Sequence, residues 1–342
     1  MIDGLSLAST FGLFLLAAIA IGVLGVRMTG LADRLADLTG LGEAVTGAVL
    51  LGACTSLSGT VVSVTSALDG RASLAFANGV GGIAAQTAFL ALADVVWRRG
   101  NLEHASADIT NLFQAGLLAL MLSLPLLAYA GPEVAILGVH PVSPLLLAIY
   151  VGGLRATSAI REDPMWTPVR TRETRADTPD EAPDRDGVVR VALAFAGLTL
   201  CLGVAGWTVA KTGGRMADAF GVSETAVGAL LTATVTSLPE LVTTLAAVRR
   251  GAAQLAVGGI IGGNVFDMLF LTLSDAAYRN GSLYHAVTQH DFLWIGAGLA
   301  MTATLLLGLI ARERRGPGGI GVESVAMLVI YALAALAQGA LG

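Results

Sequence analysis

Charged side chains are scarce in this sequence and make up only 13% of its 342 residues. Soluble globular proteins carry about 25%, so the composition excludes a soluble globular domain. Hydrophobic residues account for 55% of the chain, and the mean hydropathy is +0.75. The apolar runs are long enough for helices that cross about 30 Å of hydrocarbon. The sequence therefore predicts an all-α integral membrane protein embedded in a lipid bilayer.

Cysteine is also rare, since the chain has only Cys54 and Cys201, and each lies within an apolar run. We interpret both as small hydrophobic side chains, with no disulfide or metal site implied. The first apolar run, 7–26, lacks a basic segment before it and a small-residue cleavage site after it, so no cleaved signal is expected. The sequence shows no nucleophile triad, phosphate-binding loop or cofactor motif, which argues against an enzyme and against a bound cofactor. The net charge of -5 gives no indication of nucleic-acid binding.

Ten apolar segments are predicted to be transmembrane helices. They cover residues 7–26, 41–68, 72–97, 110–131, 141–160, 188–210, 222–248, 252–278, 291–311 and 320–341. Between the fifth and sixth lies a polar segment, 161–187, that is rich in Pro, Asp and Arg and is typical of a linker. The predicted organisation is a first five-helix repeat at 1–160, this linker, and a second five-helix repeat at 188–342.

Most of the arginine side chains lie in segments that follow the odd-numbered helices. The opposite side has Arg71, Lys211, Arg215 and Arg279. Because cytoplasmic loops are enriched in Lys and Arg, we expect a cytoplasmic linker and both termini outside. An odd number of spans in each half would give the two repeats opposite orientations in the membrane, as in an inverted repeat. The lack of an organelle-targeting signal favours a prokaryotic plasma membrane.

One segment occurs twice in the chain, at residues 46–94 and 227–275, and the two copies align without a gap 181 positions apart. The matching positions include Thr55-Ser56-Leu57 with Thr236-Ser237-Leu238, and Gly81-Gly82 with Gly262-Gly263. Where the second copy has Glu240 and Asp267, the first has Gly59 and Gln86. Only the second copy is therefore acidic at these two positions.

Glu240 lies well inside the seventh predicted helix, where a carboxylate costs about 2.5–3.5 kcal/mol and should face a cavity or a partner. Pro239 has no amide hydrogen, which would leave the carbonyl of Val235 available to a ligand. Thr236 lies one helical turn before Glu240, and Ser237 follows it. Together these hard oxygens suit Na⁺ or Ca²⁺. The alternatives are interhelical hydrogen bonding for the hydroxyls and a simple kink for the proline.

Asp267 is a second carboxylate inside a predicted helix, and we expect it to be functional for the same reason. Asn264, three residues earlier, lies near the same face and could either bind the ion or brace a neighbouring helix. The preceding glycines, 258–263, contain two overlapping GxxxG spacings, which close helix packing explains fully. Asp94 and Asp275 end the two copies, and we expect them to be solvated or helix-end groups.

The segment 221–267 resembles the second signature repeat of the cation/calcium antiporter superfamily, the sodium/calcium exchangers. The matching elements are Thr236-Ser237-Leu238-Pro239-Glu240 and Gly262-Gly263-Asn264-Val265-Phe266-Asp267, and in the first copy Thr55-Ser56-Leu57 and Gly81. The resemblance implies ion sites at mid-membrane, with the first and sixth helices as sliding gates. It implies as ligands Thr236, Ser237, Glu240 and Asp267, with Thr55 and Ser56 from the first half.

Several positions depart from the family's first-repeat pattern. Gly59 stands where the family has a glutamate, Ser58 where it has a proline, and Gln86 where it has an asparagine ligand. The family's small hydroxyl residue, which occurs in both repeats, is replaced by Gly82 and by Gly263. Gln86 still offers a carbonyl oxygen. The resemblance implies four ion sites, but with these losses we expect one cation site, built mainly from the second half.

The leading hypothesis is a secondary cation antiporter with Ca²⁺ and Na⁺ as the default pair and H⁺ as the alternative counter-ion. A second hypothesis is proton-coupled exchange of another cation, such as K⁺, Na⁺ or Mg²⁺. A third is a membrane protein that keeps the fold as a sensing or binding module without transport. The expected partners are inorganic cations and the lipid bilayer.

Overall fold

The computed structural model describes residues 4–39, 55–97, 100–169, 188–313, 316 and 320–341. Of residues 32–39 and 188 it describes only the helical backbone. Within this part of the chain the regular structure is helical, apart from a single bridge between Ile136 and Val139. The all-α prediction is confirmed.

Eleven main helices are labelled here in chain order. They are α1 Leu7–Thr39, α2 Leu57–Leu68, α3 Ala72–Trp97, α4 Ile109–Ala130, α5 Val142–Glu162, α6 Val188–Phe220, α7 Glu224–Thr236, α8 Leu238–Arg250, α9 Ala253–Ala277, α10 Phe292–Ala311 and α11 Val322–Leu341. Two short helices, Leu102–Ser106 and Leu283–Ala286, precede α4 and α10.

Eight of the described helices are long and apolar enough to cross a membrane. Helices α7 and α8, bent by 46°, meet the same criteria only as a pair, as a broken span or a re-entrant loop would. Helix α2 has 12 residues and is too short to cross by itself. The predicted second span began earlier, and its residues 41–54, with Cys54, lie outside the described residues. The count of ten helices in two repeats therefore stays a prediction.

Helices α1 and α6 are each 33 residues long and extend well beyond the predicted ends at residues 26 and 210. The extra turns of α6 carry Lys211 and Arg215, which were predicted to lie in a loop. Lys211 donates to a carboxylate oxygen of Asp69 at 2.6 Å, and Arg215 donates to the backbone oxygen of Leu5. Both side chains thus form hydrogen bonds from the last turns of α6. A helix end placed where the hydropathy falls does not take such hydrogen bonds into account.

Helix α3 lies at the centre of the protein, with 83% of its most apolar stretch buried. It is rich in Ala and Gly on every face, a composition typical of a helix surrounded by other helices. A Cβ added to Gly81 would collide with the backbone of Ala229 in α7, and one added to Gly228 would lie 2.8 Å from Ala77 Cβ. These glycines let α3 and α7 approach at backbone distance.

Helices α1 and α6 pack mainly on each other and share a hydrophobic cluster separate from the main core, including Ile21 and Val209. A Cβ added to Gly25 of α1 would lie 2.8 Å from Pro239 Cβ. One added to the corresponding Gly206 of α6 would lie 2.7 Å from the backbone oxygen of Ser58. Each long helix thus contacts the start of α8 or α2, next to the predicted ion site.

Candidate ion-binding site

Ser56 and Ser237 occupy corresponding positions of the two copies and share a backbone conformation. Ser237 separates α7 from α8 with φ -93° and ψ 5°, and Ser56 precedes α2 with φ -84° and ψ 0°. Pro239 lies in the first turn of α8, where its missing amide hydrogen costs no helical bond. The first copy has Ser58 in place of proline, and Ser56 still adopts this conformation. The conformation therefore does not require proline.

Ser56 and Ser237 both line one narrow cleft between α2, α3, α7, α8 and α9. Its lining residues are Ser56, Gly59, Asn78, Gly82, Gln86, Thr236, Ser237, Glu240, Asp267 and Phe270. Six of the eight predicted site residues are among them. Residues from both copies thus meet in the fold.

Asp267 of α9 is 2% exposed, and both of its carboxylate oxygens accept hydrogen bonds from residues of the first copy. The Ser56 hydroxyl donates to Asp267 Oδ1 at 2.5 Å, and Gln86 Nε2 donates to Oδ2 at 2.7 Å. Gln86 Nε2 also donates to Ser237 Oγ at 3.2 Å. The sequence suggested that Gln86 offers its carbonyl oxygen to the ion. In the structure its amide nitrogen faces Asp267, and its Oε1 is buried without a partner.

Glu240 of α8 differs from Asp267 although both are buried. It is 3% exposed, and neither of its carboxylate oxygens receives a hydrogen bond of ordinary geometry. The Thr55 side chain interacts with this carboxyl group, and the charge of Asp267 repels it. A buried carboxylate with so few donors is costly unless a cation or a proton neutralises it.

Thr236 and the break itself supply the remaining oxygens. The Thr236 hydroxyl donates to Ala233 O at 3.2 Å, and its backbone oxygen accepts from Ser58 Oγ at 3.5 Å. The Ser237 amide donates to Ala233 O at 3.1 Å, and the Val235 carbonyl, predicted to be free, has only a secondary contact with that amide. Thr55, which precedes Ser56, is 6% exposed.

Asn264 lies outside the cleft lining. Its Nδ2 donates to Thr87 Oγ1 of α3 at 3.0 Å, as the bracing interpretation expects, while its Oδ1 is buried without a partner. Both interpretations of Asn264 therefore stay predictions. Among the described residues no group of three or more His, Cys, Asp or Glu is arranged to hold a metal ion.

A buried polar network beside the cleft was missed in the sequence. Asn78 Nδ2 of α3 donates to Gly59 O at 3.2 Å and to Ser63 Oγ at 2.9 Å, and the Thr232 hydroxyl donates to Asn78 Oδ1 at 2.8 Å. Thr232 ends a π-helical segment, Val227–Thr232, a feature frequent at functional sites. An amide in the middle of a long apolar run was the available signal, because such groups are expensive in a membrane.

Asp94 and Asp275 were expected to be solvated or helix-end groups. Both are fully buried, so they are not solvated, and each lies within the last turn of its helix, α3 or α9. Asp94 accepts from the amides of Leu102 and Gly321 at 2.8 and 2.7 Å. Asp275 accepts from the amide of Leu283 at 2.9 Å and from the amide of His140 at 2.7 Å. Each anchors the short helix that begins eight residues later, which a composition window cannot show.

The sequence pattern of a family described as "Sodium/calcium exchanger protein" matches residues 9–152 and 190–340, which together are most of the chain. The chain belongs to the sodium/calcium exchanger family. The predicted resemblance is thereby confirmed, and so is the expectation of an antiporter-type membrane protein. Several of its relatives are named as exchangers or as a putative antiporter.

Individual exchanger-family relatives match more locally. Inner membrane protein YrbG of Escherichia coli (strain K12) is 31% identical over 153 residues, which are 44% of this chain and 44% of that protein. The chain thus aligns with about half the length, or less, of the curated relatives it matches.

Solved structures of exchangers share the fold over nearly the whole chain. The H⁺/Ca²⁺ exchanger CAX has a TM-score of 0.71 at 12% identity, covering 97% of this chain and 86% of that one. The sodium-calcium exchanger NCX_Mj has a TM-score of 0.63 at 17% identity, covering 96% and 98%. At these identities the likeness establishes the fold alone.

Proposed function

We propose that this chain is a secondary active cation antiporter that binds its ion beside Glu240 and Asp267 and exposes that site alternately to the two sides of the membrane. Glu240 is the observation that carries the proposal. It is a buried carboxylate in a cleft between helices, and neither oxygen has an ordinary hydrogen-bond donor. A bound cation would offset the cost of that charge.

Ca²⁺ exchanged for Na⁺ is the pair we propose first. Carboxylate, hydroxyl and backbone oxygens are the ligands that these hard cations prefer. Thr55, Thr236 and Ser237 would add neutral oxygens to the carboxylate of Glu240. Asp267 contributes charge while it holds its donors, Ser56 and Gln86.

H⁺ is the second candidate counter-ion, and the same observation favours it. A proton neutralises an isolated buried carboxylate as well as a cation does. Proton-coupled exchange of K⁺, Na⁺ or Mg²⁺ therefore belongs with this candidate.

We also propose the orientation that the positive charges favour, with the linker 161–187 in the cytoplasm and both termini outside. The membrane would be a prokaryotic plasma membrane. Cysteine labelling of intact cells at exposed positions, such as Gly4 and Asp163, would test the orientation. Labelling of Asp163→Cys from outside would contradict it.

The proposed function can be tested by flux in proteoliposomes containing the purified full chain. Uptake of ⁴⁵Ca²⁺ and of ²²Na⁺ would be driven by opposing Na⁺, Ca²⁺ or H⁺ gradients, with a pH-sensitive dye inside the vesicles. We expect gradient-driven uptake that falls at least tenfold in Glu240→Gln. The matched control is Glu162→Gln, which neutralises an exposed carboxylate at the end of α5.

Each outcome separates the candidates. A rise in the internal pH as the cation enters would select the proton-coupled exchanger, because each cation taken up would be exchanged for protons that leave the vesicle. Uptake that is unchanged in Glu240→Gln would refute the site. No flux under any gradient, together with no cation binding by titration calorimetry, would favour a sensing or binding protein on this fold.

A further inference from the structure

The cleft has one aromatic side chain, and that side chain stands where the repeat would place a second glutamate. Gly59 of α2 corresponds to Glu240 of α8 in the gapless alignment of the two copies. A Cβ added to Gly59 would lie 2.7 Å from Cε2 and 2.9 Å from Cζ of Phe270. The tip of the Phe270 ring therefore covers the direction in which a side chain at 59 would leave the backbone.

The ring reaches this position across α3. A Cβ added to Gly79 would lie 3.5 Å from Phe270 Cβ, which is ordinary van der Waals contact. Phe270 is 3% exposed and lines the cleft with Glu240 and Asp267. Its ring thus lies between α2 and α9 as part of the wall of the site, and it does not face lipid.

Gly82, another glycine of the same cleft, shows that the tight contact is specific to position 59. A Cβ added to Gly82 would lie 3.6 Å from Ser237 Oγ and 3.9 Å from Asp267 Oδ2, and both are ordinary contacts. The cleft therefore tolerates an added side-chain atom at 82. At 59 the same atom meets a buried aromatic ring, which has little freedom to move in a packed interior.

We propose that Phe270 is a specificity-determining residue, which excludes a carboxylate from position 59 and leaves Glu240 and Asp267 as the charged groups that hold the cation. This inference rests on the proposed function and concerns the same site. An apolar wall supplies neither charge nor oxygen ligands. A divalent cation, which needs six to eight oxygens and strong charge compensation, then binds more weakly than it would between two facing glutamates.

The proposal is tested by removing the Phe270 ring and placing a carboxylate at position 59. The variants are Gly59→Glu, Phe270→Ala and the double variant Gly59→Glu/Phe270→Ala. The charge control is Gly59→Gln/Phe270→Ala, which has nearly the same volume without the charge. Affinity for Ca²⁺ would be measured by titration calorimetry on the full chain in lipid nanodiscs, alongside flux.

We expect the double variant with Glu to bind Ca²⁺ at least tenfold more tightly than the wild type and than the control with Gln. The single variant Gly59→Glu should lack this gain, because the ring and the new side chain compete for one space. Equal affinity in the Glu and Gln double variants would overturn the proposal. So would a single Gly59→Glu variant that binds as tightly as the double variant.

A second comparison covers the possibility that the charged variants do not fold. We expect Gly59→Ala to lower the thermal midpoint, Phe270→Ala to lower it less in the Gly59→Ala background than in the wild type, and Gly82→Ala to fold like the wild type. Equal midpoints for Gly59→Ala and Gly82→Ala would refute the steric argument. Failure of the proposed function would look different: the wild type would show no gradient-driven flux, whatever the affinities of the variants.

Discussion

Two pairs of buried carboxylates differ in how the surrounding protein treats their charge. Asp94 and Asp275 occupy corresponding positions of the two copies, and each accepts hydrogen bonds from backbone amides at both oxygens. Glu240 and Asp267 have no acidic counterparts in the first copy, and Glu240 lacks ordinary donors. Asp267 is satisfied by Ser56 and Gln86, so within the second pair we infer that only the charge of Glu240 is left for a ligand to satisfy.

The largest expected effect comes from removing a satisfied carboxylate. Asp275 also accepts from the Ser143 hydroxyl at 2.7 Å, so Asp275→Ala would strand three buried donors. Each stranded donor costs about 1–3 kcal/mol, and we expect the free energy of unfolding to fall by several kcal/mol. Asp94→Ala strands two donors and should be milder. Thermal unfolding in detergent would measure both, and a wild-type midpoint for Asp275→Ala would contradict the structural role.

A smaller effect should separate the two members of the functional pair. Asp267→Ala leaves Ser56 and Gln86 without their acceptor, so we expect it to lower the free energy of unfolding by about 1–3 kcal/mol in ion-free buffer. Glu240→Ala removes a buried carboxylate that accepts few hydrogen bonds. It should therefore lower the free energy of unfolding less than Asp267→Ala does, or raise it. The comparison uses thermal midpoints without and with added Ca²⁺. If Glu240→Ala were the less stable variant, Glu240 would belong with the structural carboxylates.

The smallest effect concerns Glu103 on the short helix Leu102–Ser106, outside the membrane-spanning helices. Its Oε1 accepts from Ser324 Oγ at 3.0 Å, while its Oε2 is buried without a partner. Burial, with repulsion from Asp94, raises the pKa of Glu103 from 4.5 to about 7. The folded state therefore binds this proton more tightly than the unfolded state. Its contribution is present at low pH and is lost as the pH rises from about 4.5 to about 7.

Glu103→Gln removes this titration, so the variant should unfold at a higher temperature than the wild type near pH 8, and this difference should shrink as the pH falls toward 4. Thermal unfolding across this pH range would check the prediction. A constant difference between variant and wild type at all pH values would show that Glu103 does not titrate there, and would remove it from the comparison.

Much of the candidate site could be predicted from the sequence because the repeat and the acidic residues are local signals. Glu240 and Asp267 stand out as charges in apolar runs, and six of the eight predicted residues line one cleft. Asn264 and Asp94 show where this reasoning ends. Whether an amide binds an ion or braces a helix depends on what lies across from it. For Asn264 that residue is Thr87, 177 positions away.

The sequence by itself determined that the chain is a membrane protein of helices, that its two copies correspond, and that only the second is acidic. Those properties follow from composition and spacing. Only the tertiary structure decided which carboxylate is satisfied, because Ser56 lies 211 residues from Asp267. The tertiary structure also decided that Phe270 covers Gly59. Burial and hydrogen bonding depend on contacts between distant helices, and a linear pattern does not contain them.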